Sequence, residues 1–409
     1  IESDTDGDII KDNIDNCPSV SNGPPTEGVT VAGGNGLSSA ANTLSHPFDI
    51  VFDTSGNMFI SDHTKHRIQM WAPGATEGIT VAGGNGNGSE KNQLKNPKGI
   101  VLDKSGNIYV VDQGNYRVQK WAPGATEGIT VAGGNGSGSL ASQLSDPNGI
   151  ALDESGNIYI ADVGNHRIQK WAPGAFVGVT VAGGNGEGLA ANQLFYPEGI
   201  ALDASGNMYI SHYERIQKWS LGATEGVVVA GGNGRGSDLN QFFTPKGISL
   251  DALGNLYVVD EGNHRIQKWV QGSTEGIIVA GGNDEGSASN QLDYPKGITL
   301  DASGNLYIAD TENHRIQKWS QSQLDFDSDG IGDVCDPDID GDGVDNNLDT
   351  CPNTLDGEIV DSNGCSASQK DTDSDGDGII DSEDLCYLIP NGMIGRSLID
   401  GKHHKTIDG

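Results

Sequence analysis

The chain has 409 residues, 35% of them hydrophobic, and a formal net charge of −33. That length allows two or three domains, and no apolar run is long enough to span a bilayer. So acidic a balance offers no basic footprint to displace counterions from phosphate, which excludes nucleic acid as a partner.

The first 22 residues carry six acids (Glu2, Asp4, Asp6, Asp8, Asp12, Asp15) against Lys11, a net of −5. They open at Ile1 without a methionine or a visible signal peptide, so a mature or trimmed product is expected and secretion stays open. Cys17 follows in the segment Asn16-Cys17-Pro18.

From residue 23 to 322 the chain repeats one unit. Its six tryptophans, Trp71, Trp121, Trp171, Trp219, Trp269 and Trp319, are spaced 50, 50, 48, 50 and 50 residues apart. The third copy predicts four short strands: Gly149–Asp153, Asn157–Asp162, Arg167–Trp171 and Gly178–Ala182. β-Branched and aromatic residues fill the strands, and Gly, Asn and Pro fill the gaps, which is hairpin chemistry. The strands are nearly continuous apolar runs, as expected where both faces of a small sheet are covered. Four-stranded sheets at this period predict an all-β fold, a six-bladed β-propeller that avoids long free edges by radial repetition. Gly28–Gly33 has outer-strand sequence but precedes any inner strand, and the last copy has three strands. The N-terminal strand is therefore predicted to complete the last blade.

The pattern P-x-G-I-x-L-D-x-S-G-N-x-Y-x-x-D-x-x-N-H-R-I-Q-K-W resembles the NHL-repeat family across roughly residues 23–322. Within it, Asp62, Asp112, Asp162, Asp260 and Asp310 recur near Arg67, Arg117, Arg167, Arg215, Arg265 and Arg315. A recurring acid that accepts backbone and arginine hydrogen bonds fixes a turn; a catalytic group has no reason to recur in nearly every blade. His66, His166, His264 and His314 stand at equivalent positions of a ring and cannot converge on one zinc. The AGGNG segments do not open helices and are read as turns between blades, not phosphate loops. The resemblance extends to lyases and lactonase-like enzymes with a metal in the central channel, which break repeat symmetry to build a site. Here symmetry is expected to break once, in blade four, where Ser211-His212-Tyr213-Glu214-Arg215 is two residues short and His212 replaces the aspartate.

Residues 323–386 hold twenty acids against Lys370, a net of −19, so the two arms carry −24 of the total −33. The acids follow D-x-D-x-D-G-x-x-D-x-x-D, and alternate carboxylates on a loop turned by glycine converge on one calcium ion. Asp325, Asp327, Asp329, Asp333 and Asp336 fit, as do Asp373, Asp375, Asp377, Asp381 and Asp384. Asp338, Asp340, Asp342 and Asp349 fit with Asn346 as a neutral oxygen donor. Asp4, Asp6, Asp8, Asp12 and Asp15 fit except that Ile9 stands where the glycine belongs. The twelfth position is Asp rather than Glu and no amphipathic helices flank the loops, so these are not EF-hands. They resemble thrombospondin type 3 repeats. In that family a front half N-C-P joins a back half Q-x-D-x-D-x-D-G-x-G-D-x-C-D. Here Asn16-Cys17-Pro18 supplies the front and Gln323 to Asp336 the back, so the resemblance implies a propeller inserted into one calcium repeat and a Cys17–Cys335 disulfide. Cys351 and Cys365 bracket a compact loop expected to close by a second disulfide, which leaves Cys386 over. No C-x₂-C zinc spacing occurs, and the usage implies an oxidising compartment. Residues 387–409 lose the pattern and form a C-terminal tail.

The expectation is a non-enzymatic, secreted or cell-surface structural or adhesive protein with calcium as its cofactor, whose partners are another protein or copies of itself. The similar half-repeats 4–17 and 373–386 at opposite ends suit head-to-tail assembly into fibres. The alternatives are an NHL-type lyase or hydrolase with a channel metal, or a ligand-binding adhesin.

Overall fold

The computed structural model describes residues 27–320 apart from 37 and 39, together with 344, 360 and 362 and the strand pair Leu398–Ile399 and Lys402–His403. By its contacts the chain divides into two units: Pro24–Leu324, and the pair of segments Ile1–Gly23 and Asp325–Gly409. The expected calcium ligands from Asp4 to Asp15 and from Asp325 to Asp384, and Cys17, Cys335, Cys351, Cys365 and Cys386, lie outside the described residues.

The first unit is a ring of six antiparallel four-stranded sheets. In the third blade the strands are Pro147–Leu152, Ile158–Asp162, Arg167–Trp171 and Val179–Gly183, in that spatial order. The sixth blade has Ile298–Leu300, Leu306–Asp310 and Arg315–Trp319 from the chain's end, and its outer strand is Val29–Gly33. Val29 pairs with Lys318 and Gly33 with Arg315. The N-terminal strand thus closes the last blade, as the sequence order predicts. The inner strand Pro47–Phe52 lies beside Ile298–Leu300 and completes the ring.

The second strand of each blade is covered on both faces, which is why its sequence is an unbroken apolar run. The core lies between blades. Trp171 of blade three packs with Tyr109, Val111 and Val118 of blade two, and Trp219 of blade four with Tyr159, Ala161 and Ile168 of blade three. Leu144, on the connector between blades two and three, is fully buried in the same cluster as Trp171.

The hairpins carry their own polar supports. In the turn after the first strand, Asp153 Oδ1 accepts from the backbone N–H of Ser155 and Asn157 at 3.0 and 2.8 Å, and Gly156 takes a positive φ of 80°. At the other end of the second strand, Asp162 is fully buried. Its Oδ1 accepts from the Ser145 N–H and its Oδ2 from Arg167 Nε, both at 2.7 Å. Arg167 in turn donates to the carbonyls of Ser139, Leu140 and Gln143, which belong to the connector arriving from blade two. One ion pair therefore joins two strands of a blade to the chain that enters it. Asp162→Ala leaves the Arg167 guanidinium buried without its carboxylate, and a loss of about 3–5 kcal/mol is expected, read from the denaturant midpoint of the full chain.

Candidate functional site

The six inner strands surround a central cavity of about 180 Å³. Their backbones approach closely because the motif P-x-G places a glycine where the next blade's carbonyl comes in. A Cβ on Gly99 would lie 2.6 Å from the Asn148 carbonyl oxygen, and one on Gly247 2.6 Å from that of Lys296. No side chain fits there, so the glycine is required by space.

The residue between proline and glycine differs from blade to blade: Phe48, Lys98, Asn148, Glu198, Lys246 and Lys296, and all but Lys98 line the mouth of this channel. In blade one the glycine itself is replaced by Asp49. The position just after the turn aspartate also varies and contributes Glu261, Gln113 and His63. Glu198 is the hub of one side: it accepts from Asn148 Nδ2 and, at 2.7 Å, from Lys246 Nζ. Glu261 pairs with Lys296 and lies 3.6 Å from Lys246 Nζ. On the other side Lys98 Nζ stands 5.5 Å from the centre of the Phe48 ring and 3.5 Å from Asp146. Two lysines, Lys246 and Lys296, thus meet at one mouth, in a propeller segment whose 19 Lys and Arg and 29 Asp and Glu between residues 23 and 322 give it a net of −10.

Burial sets the protonation of this ring. Desolvation, and then the neighbouring charge of Lys246, push Lys296 down to about 8. Desolvation pushes Asp49 up to about 7, although its carboxylate accepts the backbone N–H of Ile50 and of Ile100 in the next blade, each at 2.9 Å. Desolvation likewise pushes His63 down to about 4. The lysine is charged and the aspartic acid neutral below pH 7, and both lose a proton between about 7 and 8.

This ring corrects the expectation that repeat symmetry breaks only in blade four. It breaks at the x of P-x-G and at the first glycine, and the topology gathers five of those six x positions around one opening. The signal was present as a column that varies in charge inside a stretch of near-invariant Pro, Gly and Ile.

The structure keeps the recurring histidines apart and gives each a structural task. Nδ1 of His66, His166, His264 and His314 accepts the backbone N–H of Asn96, Tyr196, Tyr294 and His46, respectively, in the adjoining blade at 3.1–3.3 Å. His264 also approaches Glu285 and Asp293 closely enough for the three to hold an ion. An imidazole whose Nδ1 accepts a hydrogen bond carries its proton on Nε2, which here faces Glu285 at 3.7 Å, so the ring has no free lone pair to offer an ion.

His212 takes over the turn aspartate's place in blade four. Its Nδ1 faces the Phe195 N–H at 3.3 Å and its Nε2 the Arg215 Nε–H at 3.2 Å. A neutral imidazole accepts at only one nitrogen, so one of these donors meets another N–H. Desolvation and the Arg215 charge push His212 down to about 3.

The NHL repeat family matches residues 94–121, 144–171, 244–269 and 292–319, and the thrombospondin type 3 repeat family matches residues 2–23 and 324–356. No curated protein matches the chain. Among solved structures, an auxiliary nutrient binding protein from Bacteroides ovatus aligns with a TM-score of 0.54 at 13% identity, over 73% of this chain and 77% of that one. A protein of unknown function from Bacteroides thetaiotaomicron aligns at 0.53 and 18%, over 74% and 75%. A gluconolactonase from Xanthomonas campestris aligns at 0.51 and 13%, over 74% and 96%. The chain carries NHL repeats on a six-bladed propeller, with thrombospondin type 3 repeat sequence at its ends.

An aspartate at position 212 would accept from both Phe195 and Arg215, because the spacing to the connector is the same as that between Ser145 and Asp162. His212→Asp is therefore expected to raise stability by about 1–3 kcal/mol at pH 7, measured by denaturant titration. The sign also holds for pH. Folded His212 resists protonation down to about 3 while the unfolded residue titrates near 6.5, so its contribution is present above pH 6.5 and is lost as the pH falls toward 3.

Proposed function

We propose that this protein is an extracellular binding and display protein, in which the propeller holds a small anionic ligand at its channel mouth and calcium-loaded arms carry the propeller. One observation carries the ligand site: positions that vary within the P-x-G motif line a single opening and bring Lys246 and Lys296 together there in an acidic domain. A structural ring needs no such variation, because the glycines and turn aspartates already build six nearly equal blades. A concave site with a few placed polar groups over an apolar wall is the usual form of a small-ligand site. The likeness to the Bacteroides ovatus nutrient-binding protein is one of fold, and the ligand class rests on the lysines.

The match of thrombospondin type 3 repeat sequence to both ends supports calcium arms and a propeller set within one repeat. Calcium would neutralise segments that otherwise repel themselves. The cysteine usage supports an oxidising, extracellular setting. The similar half-repeat sequences 4–17 and 373–386 are what supports head-to-tail association into fibres or adhesion. A lactonase or lyase is the second reading. What favours it is a pair of channel groups, Asp49 and Lys296, that titrate near neutrality.

Two measurements test the main reading. Calorimetric titration of the full chain with gluconate, citrate and neutral glucose is expected to show binding of the anions, a loss of roughly tenfold or more in Lys246→Met/Lys296→Met, and weakening from pH 6 to 9 as Asp49 and then Lys296 lose their protons. Turnover of a sugar lactone by the wild type, abolished in Asp49→Asn, would replace this reading with the second. Equilibrium dialysis is expected to find about four calcium ions per chain, one per acidic loop, with one fewer in Asp327→Asn/Asp329→Asn. An uptake unchanged by that variant would contradict the assignment of the loop.

A further inference from the structure

Blades four and five carry a second departure from the repeat, away from the lysine ring. The two residues before the blade-opening proline are Ser-His, Lys-Asn and Ser-Asp in the first three blades, but Phe195-Tyr196 in blade four and Phe243-Thr244 in blade five. The short hairpin of blade four adds Tyr213. The rings meet edge to face: Phe195 lies 4.9 Å from Tyr213 and 5.0 Å from Tyr196. Tyr196 remains 46% exposed and Phe243 40%, so these aromatic groups form a surface rather than a core.

Arg235 stands on this surface. It occupies a connector position held by Asn87, Ser137, Glu187 and Glu285 in other blades. Its guanidinium lies 4.6 Å from the centre of the Tyr213 ring and 5.2 Å from that of Phe243. The residue is exposed and forms no ion pair among the described residues. Two aromatic rings thus hold a planar cation in a fixed attitude while leaving its hydrogen-bond donors to solvent. Covering an arginine stem would not require the charge, and charge alone would not require the rings.

The geometry points to a binding surface for an acidic saccharide, a sugar ring bearing a carboxylate. Aromatic faces stack against the C–H face of a pyranose, and the stacked guanidinium offers two parallel N–H donors to its carboxylate. The ratio of groups selects this ligand over an acidic peptide or a nucleic-acid backbone. Those present a row of anions that calls for a row of cations, whereas this surface has one cation among four rings.

Binding of a galacturonate oligosaccharide to the full chain, compared with a neutral galactose oligosaccharide and with oligo-aspartate, tests the assignment. The acidic sugar is expected to bind at least tenfold more tightly than either control. Arg235→Gln should lose about tenfold, and Arg235→Lys, which keeps the charge without the planar stack, should lose part of that. Lys104→Met, at an exposed lysine away from both sites, should stay within twofold of wild type, and a loss in Lys246→Met/Lys296→Met equal to that in Arg235→Gln would assign the sugar to the mouth and overturn the proposal. Oligo-aspartate binding as tightly as the sugar, or an Arg235→Gln variant that melts and binds like wild type, would also overturn it.

Discussion

The buried aspartate–arginine pair is the interaction on which the rest of this propeller depends. In five blades a fully buried carboxylate at the end of the second strand receives an arginine from the third strand and a backbone N–H from the incoming connector. An unpaired charge in that place would cost several kcal/mol, so the pair fixes the hairpin, the connector and the start of the next inner strand together. Everything at the channel mouth hangs from that start. The variable side chains of the P-x-G motif sit at a defined height because the connector before them is pinned.

The scaffold therefore separates two tasks that often compete. Burial and the ion pairs are repeated almost without change, and they supply stability. Variation is confined to positions whose backbone is already held, where Lys98, Glu198, Lys246 and Lys296 can differ without disturbing the ring. Blade four is the exception. There the substitution enters the supporting pair itself, and His212 accepts a strained compromise between two donors. The same shortened hairpin delivers Tyr213 to the aromatic surface under Arg235.

The fold was legible in the sequence because its causes are local and repeated. The tryptophan period, the apolar strand runs and the Asp-x-Ser-Gly-Asn turns each follow from short-range chemistry, and the displaced outer strand at Val29–Gly33 revealed closure. The candidate site was much less legible. Asp49, Asn148, Glu198, Lys246 and Lys296 are about 50 or more residues apart in the chain and line one cavity only when the ring closes. Their burial, which moves Asp49 and Lys296 toward neutrality, is a property of the narrow channel and not of their sequence context. The recurrent Asp and His, whose repetition marks them as structural, are supports. The informative residues were those that failed to recur.

Hydrogen–deuterium exchange of the full chain with and without saturating gluconate tests the central claim most directly, because it reports on every blade at once. A ligand held by the lysine ring predicts added protection at the starts of the inner strands, residues 97–100, 245–248 and 296–298, with the outer strands unchanged. Protection spread evenly over six blades, or confined to the outer strands, would contradict a ligand site at the channel mouth.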